Sequence, residues 1–185
     1  DLIHSFSFDR IHKGGAKFDY EKAKWYNAEW IKLSTAERLL PDVKKILNQA
    51  GVENIDESKL LTVIDMVKER CVLLSDFVQQ ASFFFKAPDN YDNDAVKPKW
   101  TAEKEAFFMA FADDLQQLAT FDSVTLENHF KEMAAQKGIK IGELMLPFRI
   151  MLVGQKFGPQ VFDIATQIGK EETISRIHKA VEAFK

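Results

Sequence analysis

Apolar residues recur at intervals of three and four along most of this 185-residue chain, the spacing that gathers them on one side of an α-helix. The clearest run lies between Glu57 and Phe84, where Leu60, Ile64, Val67, Cys71, Leu74, Phe77 and Val78 predict the longest helix in the chain. Before it, Ser34-Thr-Ala-Glu37 reads as a capping box, with the Ser hydroxyl and the Glu carboxylate satisfying free N–H groups of a first turn. That helix should run to about Ala50 and stop at Gly51. An earlier helical stretch covers roughly Asp19 to Ile31, behind a Gly14-Gly15 turn. Periodicity fails between Lys86 and Trp100, where Pro88, Asp89, Asn90, Asp92, Asn93, Asp94 and Pro98 carry turn chemistry. This is the best internal boundary. Beyond it, Thr101 caps a run to about Leu118, Thr125 starts another to Gln136, and Gly138 ends it. In the apolar stretch Leu144–Gly154, Pro147 is expected in the first turn, where its missing N–H is no loss, and Gly154 in the left-handed conformation that stops a helix. Gly158-Pro159 opens the next helix, and a last one fills Lys170 to Phe184. Strand alternation is not seen, so the expected fold is all-α: two small helical subdomains, 34–97 and 98–185, behind a stretch 1–33.

Composition narrows the function classes. A chain with 46% hydrophobic residues has ample material for a core. Its single cysteine, Cys71, rules out an internal disulfide and a multi-cysteine zinc site, and beside Val72 and Leu73 it is expected to be a buried, inert thiol. A net charge of −3 excludes a chain that coats nucleic acid on every side, though not one that keeps its cations on one face. No apolar run approaches the roughly 18 residues of a membrane span, and Asp1 to Arg10 lack the features of a signal peptide, so no membrane partner and a cytoplasmic location are expected. The histidines His4, His12, His129 and His178 have no metal or general-base spacing. Glu171-Glu172 and Asp113-Asp114 read as a helix start and a solvated face, because adjacent helical residues point in different directions. No catalytic residue and no metal ligand are assigned.

The exception to this silence is Leu144-Met-Leu-Pro-Phe-Arg-Ile-Met-Leu-Val-Gly154, followed by Gln-Lys-Phe-Gly158-Pro159 and by Ile168-Gly169-Lys170-Glu171. An apolar helix that carries one arginine, Arg149, and ends in a loop of two glycines and a proline places a shaped surface beside a cation. The arrangement closely resembles the C-terminal signature of bacterial glutamyl-tRNA synthetases, which runs roughly Leu-Pro-Leu-Arg, Ala-Leu-Thr-Gly, Gly-Pro and Leu-Gly-Lys-Glu. A second match, Gly15-Ala-Lys-Phe-Asp19 with Glu21-Lys-Ala-Lys-Trp25 and Asn27, is similar to the family's segment leading out of its catalytic half.

The resemblance implies an anticodon-binding helical region, with residues 1–33 as the end of a connecting, stem-contact domain. The family's ATP-binding signatures, of the His-x-Gly-His and Lys-Met-Ser-Lys-Arg kinds, lie upstream of the matched region and do not occur in this chain. It implies no cofactor for this stretch, inactivity by itself, and ATP and magnesium for a parent glutamate–tRNA ligase. The partners implied are glutamate tRNA and a catalytic domain of the same chain, against which Phe6, Phe8, Phe18, Trp25 and Trp30 would be buried, in a monomeric enzyme.

By position in the matched motifs, Arg149 and Arg70 correspond to anticodon-reading arginines. Gly158, Pro159 and Val161 correspond to residues lining the anticodon pocket, Val161 as an apolar wall or through its backbone. Lys13, Lys17, Lys22 and Lys24 are candidates for contact with the tRNA backbone. Arginine suits the task because its planar fork of donors pairs with two acceptors on a base edge or stacks on a base.

Each assignment has a plainer competitor. Arg149 could pair with Glu143 or Asp163 at the surface, Arg70 could lie on a solvated helix face, Gly158-Pro159 could be only a helix start, and Val161 a core residue. Phe83-Phe84-Phe85 could stack bases, but core packing is the better reading at the end of an amphipathic helix. Val153 stands where the signature has Thr, and Phe148 and Met151 replace smaller residues, so packing around Arg149 is expected to shift. A helical protein-interaction module without RNA binding is the rival from another class.

Overall fold

The computed structural model describes residues 2–7, 14 and 17–185, Leu2 by its backbone alone, and among these every regular element is a helix. In chain order they are α1 (Leu2–Ser5), α2 (Tyr20–Leu33), α3 (Ala36–Gln49), α4 (Glu57–Val67), α5 (Asp76–Ala81), α6 (Asn93–Val96), α7 (Ala102–Gln117), α8 (Ser123–Gln136), α9 (Ile141–Val153), α10 (Val161–Ile168) and α11 (Lys170–Phe184). The all-α expectation holds, and so do most of the helix stops.

Four boundaries differ from the sequence reading, each for an identifiable reason. The cap of α3 is Thr35, whose hydroxyl accepts from the Arg38 N–H at 3.3 Å, while the Ser34 hydroxyl donates back to the Trp30 carbonyl and closes α2. Helix α8 starts two residues before Thr125 because the Asp122 carboxylate takes the cap, accepting the Thr125 N–H at 2.9 Å. Pro147 lies inside α9, which begins at Ile141 without a side-chain cap. The long helix expected from Glu57 to Phe84 is broken into α4, a tight three-residue turn at Lys68–Arg70, α5, and a second tight turn at Ser82–Phe84, so the longest helix is α7.

The break falls at Cys71, whose backbone is extended (φ −105°, ψ 126°). Downstream, one Asp76 carboxylate oxygen accepts from the Val72 and Leu73 N–H groups at 2.8 and 2.9 Å. The apolar step survives because a tight turn keeps a three-residue period. Asp76→Ala should therefore cost about 1–2 kcal/mol, the scale of a lost helix cap, measurable by urea unfolding. Cys71 itself is buried at 2% exposure. Burial, helped by the Asp76 charge, pushes its thiol up to about 12. Labelling of Cys71 by a thiol reagent at pH 8 should accordingly be slow in the native chain and fast once it is unfolded.

Buried residues from Ile31 to Phe184 form a single apolar cluster. Helices α3, α4 and α5 pack together, α11 lies against α7 and α9, and α10 against α8 and α9. Aromatic rings fill the second half: Phe130 meets Phe111 edge-on at 5.0 Å between ring centres and stacks on Phe148 at 5.3 Å. Phe148 and Met151 thus point into the core. Phe83 and Phe84 are likewise buried, which removes them as an exposed stacking platform.

Candidate nucleic-acid interface

Helix α9 stops because Gly154 adopts φ 83°. Its backbone is clamped by the loop ahead of α6: the Asp92 N–H donates to the Gly154 carbonyl at 2.8 Å, and a β-carbon placed on Gly154 would lie 2.6 Å from the Asn90 carbonyl oxygen and 2.8 Å from Pro88 Cβ. The chain then turns through Gln155–Gly158, and Gln160 caps α10 by accepting the Asp163 N–H at 2.9 Å.

Arg149, on the last turns of α9, reaches across this loop. Its Nη1 donates to the Pro159 carbonyl at 2.6 Å. Gly158, at φ 121°, fits beneath it: a β-carbon there would stand 3.5 Å from Arg149 Nη1, from Phe83 Cζ and from Ile164 Cδ1. Among the described residues no carboxylate pairs with Arg149, and Glu143 instead meets Lys104 at 3.5 Å. Half-buried, the guanidinium keeps most of its five donors unspent.

Arg70 ends the turn after α4, exposed and without an ion pair among the described residues. Arg149 lies within electrostatic range of Arg70. Arg149 holds its proton less tightly than usual, first through burial and then through the positive charge of Arg70. Two guanidinium groups within electrostatic range of each other, neither ion-paired among the described residues, have donors that can take acceptors from another molecule.

The structure thus brings Arg149, Gly158 and Pro159 into direct contact and sets Arg70 within electrostatic range of Arg149. Val161 does not join them through its side chain, which is fully buried at the start of α10. The apolar wall expected from it is therefore corrected to a core role, and only its backbone is left for the pocket. Lys17, Lys22 and Lys24 are exposed; Lys24 pairs with Glu21 at 3.1 Å and Lys22 lies 5.9 Å from the Tyr26 ring centre. Lys13 lies outside the described residues. Helix α2 is joined to the Arg70 turn by the Asn27 side-chain amide, which donates to the Val72 carbonyl, and by Lys68 Nζ, 3.2 Å from the Ser34 carbonyl.

A sequence profile of the anticodon binding domain matches residues 29–181. The chain belongs to this family. As an anticodon-binding domain it is 38% identical over its whole length to a glutamate–tRNA ligase of Flavobacterium johnsoniae and 37% identical to one of Christiangramia forsetii, covering 36% of each relative. It superposes on the crystal structure of a glutamate tRNA ligase from Elizabethkingia meningosepticum with a TM-score of 0.86 at 38% identity, covering 97% of this chain and 36% of the other. The chain therefore spans about a third of the relatives it matches. Among the described residues of this anticodon-binding domain, no helix is long and apolar enough to cross a membrane, and no group of three or more His, Cys, Asp or Glu is placed to hold a metal.

One residue of the domain escaped the sequence reading. Arg176, on α11, is 1% exposed. Its Nη1 donates to the Phe83 carbonyl at 2.7 Å and to the Leu152 carbonyl at 2.6 Å, and its Nε to Glu172 at 2.7 Å. With Glu172 four residues away it resembles an ordinary surface pair. The available signal was its register with Thr173, Ile177, Ala180 and Phe184, the buried side of α11.

Proposed function

We propose that this chain reads the anticodon of glutamate tRNA within a glutamate–tRNA ligase. The observation that carries the reading is the pair Arg70 and Arg149, uncompensated by any carboxylate among the described residues, with Arg149 held rigid by its bond to the Pro159 carbonyl. Anticodon bases are single-stranded and splayed, so their Watson–Crick edges are open to such donors, and a guanidinium held in place loses less freedom on pairing than a mobile one. Gly158 and the backbone around Pro159 and Val161 would frame the base. Lys17, Lys22 and Lys24 would meet backbone phosphates, which position the strand without reading it.

The whole ligase would activate glutamate with ATP and magnesium at a distant catalytic domain and transfer it to the tRNA. This chain's share is selection and placement of the tRNA, and it would form no aminoacyl bond by itself. Residues 34–97 and 98–185 would be its two recognition subdomains, one contributing Arg70 and the other Arg149. Residues 1–33 fit the end of a connecting domain. The exposed side of α2, with Trp25 59%, Tyr26 51%, Trp30 64% and Leu33 78% accessible, suits packing against the catalytic part of a monomeric, cytoplasmic ligase, since apolar patches of this kind mark contact surfaces.

The test is equilibrium binding of glutamate tRNA and of the same transcript with an altered anticodon, each at two salt concentrations. The proposal expects the altered transcript to bind about tenfold or more weakly, the scale of one lost bidentate base contact, at both salts. Equal, wholly salt-governed binding of the two transcripts would leave only non-specific attraction and favour a protein-interaction module.

A further inference from the structure

We infer that Arg176 is a positioning residue for anticodon reading: from inside the core it sets the geometry of the Arg70–Arg149 surface, an inference that rests on the proposed function. The Leu152 carbonyl belongs to the last turn of α9, where carbonyls lack a partner within the helix, and lies three residues beyond Arg149. Ile150 already accepts the Gly154 N–H, whereas Leu152 receives Arg176 Nη1. The Phe83 carbonyl lies in the middle of the tight turn after α5, and the N–H groups that follow that turn, of Phe85 and Lys86, both go to Ser82. It too receives Nη1.

These two carbonyls stand on the two parts of the recognition surface. Leu152 fixes the end of the helix that carries Arg149. Phe83, on the side of the chain that carries Arg70, presents its ring against Gly158, next to the Pro159 carbonyl that anchors Arg149. One nitrogen thus ties α9, the turn after α5, and α11 together directly beneath the loop. Glu172, 39% exposed, completes the guanidinium's bonds through Nε. Besides Glu172, the titratable groups that face this guanidinium are Lys59 on α4 and the Tyr91 phenol, both from the 34–97 part of the chain. Hydrogen bonds from Arg176 to Leu152 and Phe83, followed by the Phe83 ring lying against Gly158, therefore run to the loop that Arg149 grips.

Arg176→Lys is the informative variant. It keeps a buried cation, but its ammonium sits about one bond length short of Nη1, so it cannot hold both carbonyls in place. The readout is the ratio of affinities for cognate and altered-anticodon tRNA, measured on variants shown folded by circular dichroism, in the wild-type and Arg149→Ala backgrounds. The inference expects Arg176→Lys to reduce the ratio about three- to tenfold, and expects this effect to vanish when Arg149 is already alanine, since residues acting through one another are not additive. An unchanged ratio in folded Arg176→Lys, or an equal reduction in both backgrounds, would overturn it and leave Arg176 a stabilising residue only. Should Arg176→Lys not fold, Glu172→Ala, at a half-exposed position, decides in its place: a reduced ratio supports the inference and an unchanged one overturns it. If Arg149→Ala alone leaves the ratio intact, the proposed function fails first and the inference with it.

Discussion

An Arg176→Met chain should be about 2–5 kcal/mol less stable than the wild type, because two buried carbonyls would be left without donors at roughly 1–3 kcal/mol each. Methionine fills a similar volume, and exchanging a buried ionic group for an apolar one is often harmless when its partners are exchanged as well. Here that route is closed: the partners at Phe83 and Leu152 are backbone oxygens, which no substitution removes. Water cannot easily replace the guanidinium at a site 1% exposed. Part of the loss is offset, since burial already disfavours the charged arginine and Glu172 can turn to solvent. Urea unfolding followed by circular dichroism measures the difference, and a loss below about 1 kcal/mol would mean that the two carbonyls find other partners.

Gly154→Ala is the second large effect, expected at about 2–4 kcal/mol. A left-handed backbone costs a residue with a β-carbon roughly 1–2 kcal/mol, and the new methyl group would overlap the Asn90 carbonyl at 2.6 Å and Pro88 Cβ at 2.8 Å, adding the 1–3 kcal/mol typical of overpacking. Neither contact is the flexible end of a long side chain, so relief requires the 88–92 loop to move and its bond from Asp92 to Gly154 to stretch. Denaturant midpoints give the stability loss. Alanine at Gly51, also at positive φ but with open space around it, serves as the control and should lose only the backbone component.

Much of the fold was legible because helices with one buried side write their period into the chain, and because Gly51, Gly138 and Gly154 take the left-handed conformation their positions suggested. What could not be read is equally physical. The tight turns at 68–70 and 82–84 keep a three-residue step, so the apolar spacing runs through the break at Cys71 as though α4 and α5 were one helix. Ser34 and Thr35 are both competent caps, and only the geometry of α2 assigns Ser34 to the end of one helix and Thr35 to the start of the next. Arg149 stood out as a lone cation in an apolar helix within a recognisable motif. Its hold on Pro159 and its nearness to Arg70, some eighty positions earlier, are tertiary facts. Val161 carried the same motif but its side chain belongs to the core.

The central claim is that Arg70 and Arg149 read bases. It is tested most directly by the affinities of wild type, Arg70→Ala and Arg149→Ala, each confirmed as folded, for glutamate tRNA and for a transcript with an altered anticodon. The account predicts that each substitution weakens cognate binding by about 1–3 kcal/mol, the scale of a bidentate base contact on DNA, while binding of the altered transcript changes little. Equal losses on both transcripts would contradict it and make the two arginines phosphate contacts.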